Sequence, residues 1–198
     1  MKTKMTFAVL LAAVLAGAGY ASLQAKDETV ISEPTAFQLI EEGNKYVGDQ
    51  AKDKVVQIRA DKSIGSTTPN VWYVVYYDHT AALKAVEVKF GAGKMMSVER
   101  PLRLLEPLFG KSTPLDRTKF KVDSDVAIKT ALQEPLLANL KVVATAPKLE
   151  DSPTGPVWRV KIWAQKLRDT GDVHIGEVVI SPETGEVIKN DLHIERAG

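Results

Sequence analysis

The sequence predicts an α+β protein of two tandem units, each one helix packed on a small antiparallel sheet. Three observations predict it: an internal repeat, strand patterns that follow a capped helix in each half, and an ordinary globular composition. Hydrophobic residues make up 44% and charged residues 26% of the 198 residues, which places the chain among globular rather than disordered or fibrous proteins.

The repeat comes first, because a missed repeat miscasts the whole fold. Lys54-Val55-Val56 is followed by Asn70-Val71-Trp72, and Lys141-Val142-Val143 by Pro156-Val157-Trp158. The Lys-to-Trp spacing is 18 residues in one half and 17 in the other. Turn residues fill both intervals: Gly65 and Pro69, then Pro153, Gly155 and Pro156. Downstream, Glu87-Val88-Lys89-Phe90 leads into Gly91-Ala92-Gly93-Lys94-Met95-Met96. Its counterpart, Glu177-Val178-Val179-Ile180, leads into Ser181-Pro182-Glu183-Thr184-Gly185-Glu186-Val187-Ile188. Both read as strand, tight turn, strand.

Each half opens with a helix. Ser32 is a suitable N-cap with Pro34 in the first turn. Ala36, Leu39, Ile40, Gly43 and Val47 recur at helical spacing, and Gly48 supplies a stop. In the second half Asp123 or Ser124 can cap, Ala127, Ile128, Ala131 and Leu132 form the apolar side, and Pro135 shortens or kinks the helix. On the following strands Trp72, Val74 and Tyr76 share one face and Tyr73, Val75 and Tyr77 the other. Trp158, Val160 and Ile162 likewise oppose Arg159, Lys161 and Trp163. The first strand is apolar on both faces, so cover is expected on both.

These readings divide the chain into a leader at 1–25, a first unit at 26–100, a linker at 101–121 and a second unit at 122–198. Lys2 and Lys4, an apolar stretch and a small-residue exit describe a secretory signal peptide, with cleavage after Ala21 or Ala25. A retained membrane anchor is the alternative, although the Gly-rich end of the stretch is poor for a span. Export predicts a periplasmic or secreted protein. Losing the leader removes two lysines and leaves 24 basic against 25 acidic residues, so no strong field points to nucleic acid. With no cysteine, disulfides, thiolate metal sites and a cysteine nucleophile are excluded. In the linker Leu102, Leu104, Leu105, Leu108 and Phe109 suggest a short apolar helix, and Arg117, Lys119 and Lys121 a solvated basic loop.

The second half resembles the PepSY family. The matching features are the short Ala-containing helix, Val157-Trp158-Arg159-Val160-Lys161-Ile162, and the acidic-x-Thr-Gly ending carried by Glu177 to Ile188. The first half looks like a divergent copy with Gly91-Ala92-Gly93-Lys94 in place of the Thr-Gly turn. The resemblance implies a PepSY-like, cystatin-like fold and an exported, non-catalytic domain that binds a protein and restrains a peptidase. It supplies no catalytic residues.

No pattern of residues predicts catalytic, cofactor-binding or metal-binding groups. Asp169-Thr170-Gly171 matches the aspartic-protease tripeptide but lacks the flanking apolar strand and reads as a turn. Gly91-Ala92-Gly93-Lys94 is too short for a phosphate loop. His79, His174 and His193 form no ligand-spaced pair, and His174 is expected to be exposed. A metal site would require the fold to gather His174, His193 and a carboxylate. The candidate partner surface is Tyr73, Tyr77 and Trp163, apolar if their faces are open, with packing inside the protein as the competing outcome. Three functions follow in order: a binding protein with a peptidase or other protein as partner and no membrane contact unless the leader stays; a hydrolase with an unrecognised site; and a carrier of a small apolar ligand.

Overall fold

A capped start and a blocked finish set the first helix. In the computed structural model, which describes residues 33–100, 113–166 and 171–198, α1 spans Ala36–Gly43 with Thr35 as its N-cap. The Thr35 amide donates to Gln38 Oε1 at 3.0 Å. The helix is shorter than its apolar periodicity predicts: after Asn44 the Lys45 and Tyr46 amides donate to the carbonyls three residues back, Glu42 and Gly43, so the helical bonding ends at Gly43 rather than at Gly48. The Tyr76 hydroxyl donates to the Ile40 carbonyl at 2.9 Å and occupies the space a side chain on Gly43 would need. The second helix, α2, spans Ser124–Leu132 with Asp123 as its N-cap. Pro135 opens a separate 3-10 turn, Pro135–Leu137, instead of kinking the helix.

Among the described residues four strands follow each helix, in the order the repeat implies: β1 (Val55–Ala60), β2 (Val71–Tyr77), β3 (Ala85–Gly91) and β4 (Lys94–Glu99) after α1, then β5 (Val142–Ser152), β6 (Gly155–Gln165), β7 (Asp172–Ile180) and β8 (Val187–Leu192) after α2. The β3–β4 turn places Ala92 at φ 48° and Gly93 at φ 73°, the left-handed pair that a two-residue hairpin requires. Between β7 and β8, Ser181 accepts the Gly185 amide on its carbonyl at 2.9 Å and its own amide donates to Glu186. Across the sheet Trp72 pairs with Phe90 and Trp158 with Ile180, while Val75 pairs with Glu87 and Lys161 with Glu177. The registers of β2·β3 and β6·β7 thus correspond from Trp72 and Trp158 as far as Tyr76 and Ile162, beyond which a bulge shifts β6·β7.

The prediction of two tandem units, each with its own small sheet, is overturned. The strands form one antiparallel sheet in the order β4-β3-β2-β1-β5-β6-β7-β8. β1 and β5 pair antiparallel, with Ile58 opposite Leu149 and Arg59 opposite Lys148. Beyond β1 the seam continues through Ser63, whose amide donates to the Thr145 carbonyl and whose hydroxyl accepts the Thr145 amide, each at 2.9 Å. The core is equally shared. A single buried cluster joins α1, α2 and the inward residues of both halves. Phe37 of α1 stacks on Phe120 at 5.2 Å and on Trp158 at 6.3 Å. Asp123 accepts the Phe37 amide at 3.1 Å, and Ser124 Oγ accepts the Ala36 amide at 2.9 Å. The start of the second helix therefore caps the first, and residues Ser32–Gly198 cluster as one compact unit.

Three further expectations meet this fold. The basic segment is not a free loop: Arg117 bridges Glu41 at 2.7 Å and also pairs with Asp53, and Lys121 pairs with Glu183 at 3.1 Å. The second apolar face of β2 exists only as a small cluster of Val56, Val75 and Ala85 with Tyr77 against it. The leader, the apolar linker segment from Leu102 to Phe109, and Asp169 and Thr170 lie outside the described residues. No helix among the described residues is long and apolar enough to cross a membrane.

Candidate functional site

The two helices cover one face of the sheet, and the opposite face carries the alternate residues of every strand. Reading the registers across that outer face gives one continuous row: Ser97, Lys89, Tyr73, Arg59, Lys148, Arg159, Val179 and Lys189. Five of these are cations. With neighbouring strands about 4.8 Å apart, the row is roughly 34 Å long. Two residues along each strand, acids flank it. Glu87, Glu99 and Glu150 lie on one side, and Asp61, Glu177 and Asp191 on the other, where the exposed Lys161 stands opposite Glu177.

The bands are stitched together by ion pairs. Arg59 reaches Glu87 at 3.0 Å, Lys148 reaches Glu150 at 2.8 Å, and Arg159 reaches both Glu150 and Glu177 at 2.7 Å. These side chains are between 21% and 34% exposed, so they are screened less than fully solvated pairs but far from buried. Burial pushes the Glu87 carboxyl above its ordinary value, against the opposing pull of Arg59. Arg59 also lies over Tyr73, its guanidinium carbon 3.9 Å from the ring centre, which is cation–π range. Its Nη1 is buried without a hydrogen-bond partner.

The three aromatic candidates share this face but do not form one patch. Tyr73 is held between Arg59 and Lys89, and its hydroxyl donates to Asp61 Oδ2 at 3.0 Å. Tyr77 lies four residues along the same strand, about 13 Å away, against the Val56, Val75 and Ala85 cluster. Trp163 lies three strands from β2, with the His174 ring 4.9 Å away and Lys62 Nζ 5.4 Å from its centre. All three are half-buried. His174 is not exposed as the repeat alignment suggested: its Nε2 is buried without a partner. Burial pushes its pKa below the ordinary value, with the Lys161 and Arg196 charges adding to the effect. The imidazole is recessed because Trp163 covers it from the paired position on β6.

Sequence reasoning missed the ion lattice. Its signal was present as charges at alternate positions, in Lys148 and Glu150, Arg159 and Lys161, and Glu87 and Lys89. The pairing across β1·β5 that aligns them was not legible. Among the described residues no group of three His, Asp or Glu side chains could hold a metal ion, and His193 is engaged with Glu195 at 3.3 Å. Two open depressions flank the sheet. One of about 400 Å³ runs between Thr154 and Ser181, and one of about 680 Å³ lies between Ser63 and Val143. In comparisons with known proteins, no family model, no curated protein and no solved structure matches the chain.

Proposed function

We propose that this protein is an exported, non-catalytic binding protein that docks a protein partner on the outer face of its sheet, with an envelope peptidase as the partner it restrains. The observation that carries this reading is the banding of that face. A cationic row with acidic rows on both sides presents a fixed charge pattern, and complementary charge patterns select partners and orient their approach. Tyr73 stands in the row as a half-buried aromatic anchor, and Trp163 lies on the same face four residues along β6 from Arg159, about 13 Å from the row; aromatic residues are enriched where binding energy concentrates.

The test uses the full chain, immobilised and exposed to envelope extract, alongside Tyr73→Ala and Arg159→Glu. A stoichiometric partner retained by the parent protein and lost from both variants is expected, together with slowed peptide hydrolysis when that partner is a peptidase. Equal capture by all three proteins, or turnover of a peptide by this protein alone, overturns the proposal. N-terminal sequencing of the exported form is expected to begin at Ser22 or Lys26; an intact Met1 start refutes cleavage.

A further inference from the structure

We infer that β4 is a self-complementary edge through which two copies of this chain pair strand to strand, extending the sheet across a two-fold axis. The inference goes beyond the proposed partner binding and concerns a different part of the molecule.

Among the described residues, both outer strands of the sheet, β4 and β8, leave one side of their backbone without a neighbouring strand. Such an edge is a template for another chain unless charge, bulge or cover blocks it. On β4, Met95, Met96 and Val98 are 38%, 59% and 41% exposed, and residues 95–98 carry no charge.

A bulge sets which residues face which way. Met95 pairs with Phe90 and Ser97 with Lys89, leaving Met96 as the extra residue. Met95 and Val98, opposite the inward-facing Phe90 and Val88, point to the helix side. Lys94, Ser97 and Glu99 point to the outer side, and the Met96 sulfur lies over Gly91 on that same side. From Lys94 to Glu99 the order is outer, inner, outer, outer, inner, outer. That order reads the same in reverse.

Opposed residues in an antiparallel pair must lie on the same face. A regular six-residue strand cannot meet a reversed copy of itself about its own midpoint without violating this. The bulge removes the conflict, so a copy bearing the same bulge fits. Lys94 then faces Glu99 twice, Met95 faces Val98 twice, and Met96 faces Ser97. Opposite charges and apolar pairs at those positions favour pairing.

The other edge has the same geometry and the opposite chemistry. Val187 pairs with Ile180 and Lys189 with Val179, so Ile188 is the extra residue. The equivalent self-pairing sets Glu186 against Asp191, like against like. Pairing β4 with β8 would set Glu99 against Glu186. Only the β4·β4 combination is free of charge conflict, and it closes as a dimer rather than growing into a filament.

A short strand pair belongs to the class of small, reversible interfaces, so sedimentation equilibrium over a concentration series of the full chain is the readout. The parent protein is expected to show a monomer–dimer equilibrium. Lys94→Glu and Glu99→Lys alone each turn two attractive pairs into two repulsive ones, weakening dimerisation roughly tenfold or more. An equimolar mixture of the two variants is expected to dimerise again, because each supplies the charge the other now needs. The double variant K94E/E99K is expected to self-associate like the parent. Recovery in the mixture separates the proposal from misfolding. A parent protein monomeric throughout the series overturns it, as does a dimer indifferent to both single substitutions or a mixture that fails to recover.

Discussion

Arg59 and Lys148 stand directly opposite each other across the β1·β5 seam, on positions that the strand registers, rather than the sequence repeat, make equivalent. Ala60 and Leu149 are the residues that face Trp72 and Trp158, and the residues just before them are Arg59 and Lys148. The pseudo-two-fold relation between the halves thus passes through a pair of like charges. Two cations opposed in this way destabilise a sheet unless anions intervene. Glu87 serves Arg59, and Glu150 serves both Lys148 and Arg159.

Glu150→Gln should therefore destabilise the protein by about 1 kcal/mol, a modest figure because the pairs are a quarter to a third exposed. Adding Lys148→Ala should recover part of that loss. Urea unfolding of the two single variants and the double variant measures the coupling, and strictly additive effects would show that the seam charges are independent.

Gly176 marks a close approach between β7 and β8. Its φ is +121°, and a side chain there would strike the Asp191 carbonyl. Gly176→Ala is expected to cost more than about 3 kcal/mol, combining backbone strain with overpacking. Gly65 has φ +72° and open space around it, so Gly65→Ala should cost only about 1–2 kcal/mol. Thermal or urea unfolding distinguishes the two.

Asp123 serves two helix starts at once, accepting the Ser124 amide at 2.6 Å and the Phe37 amide at 3.1 Å. Asp123→Ala is expected to cost about 2–3 kcal/mol, above the usual loss of about 1 kcal/mol for a single cap. Ser124→Ala, which frees only the Ala36 amide, should cost about 1–2 kcal/mol. Equal effects in equilibrium unfolding would argue against the double role.

His174 gives the stability a dependence on pH. Its folded pKa is lowered from the ordinary 6.5 by burial and by the nearby cations. The unfolded chain then binds the proton more readily. The contribution is fully present above about 6.5 and is lost as pH falls towards and through the lowered value. His174→Gln should flatten that acid-side slope, read as the shift in urea midpoint between pH 7.5 and 5.5. Glu87 works in the opposite sense: its raised pKa contributes stability at low pH that is lost as pH rises through the folded value. An unchanged slope in the His174 variant would remove the histidine from the account.

The sequence by itself determined the repeat, the order of helix and strands in each half, and the facing of residues on β2 and β6. Hydrophobic alternation and turn chemistry are local, and both repeats carry them openly. It did not determine that the two sheets would be one. Backbone hydrogen bonds across β1·β5 are the same for any side chains, so an edge that pairs with the other half reads like an edge left in solvent. The tertiary structure alone decided that Phe37 would lie on Trp158, that Asp123 would cap both helices, and that five cations would line up across the outer face. Each joins residues far apart in the chain through pairing of strand edges, which side-chain periodicity does not encode.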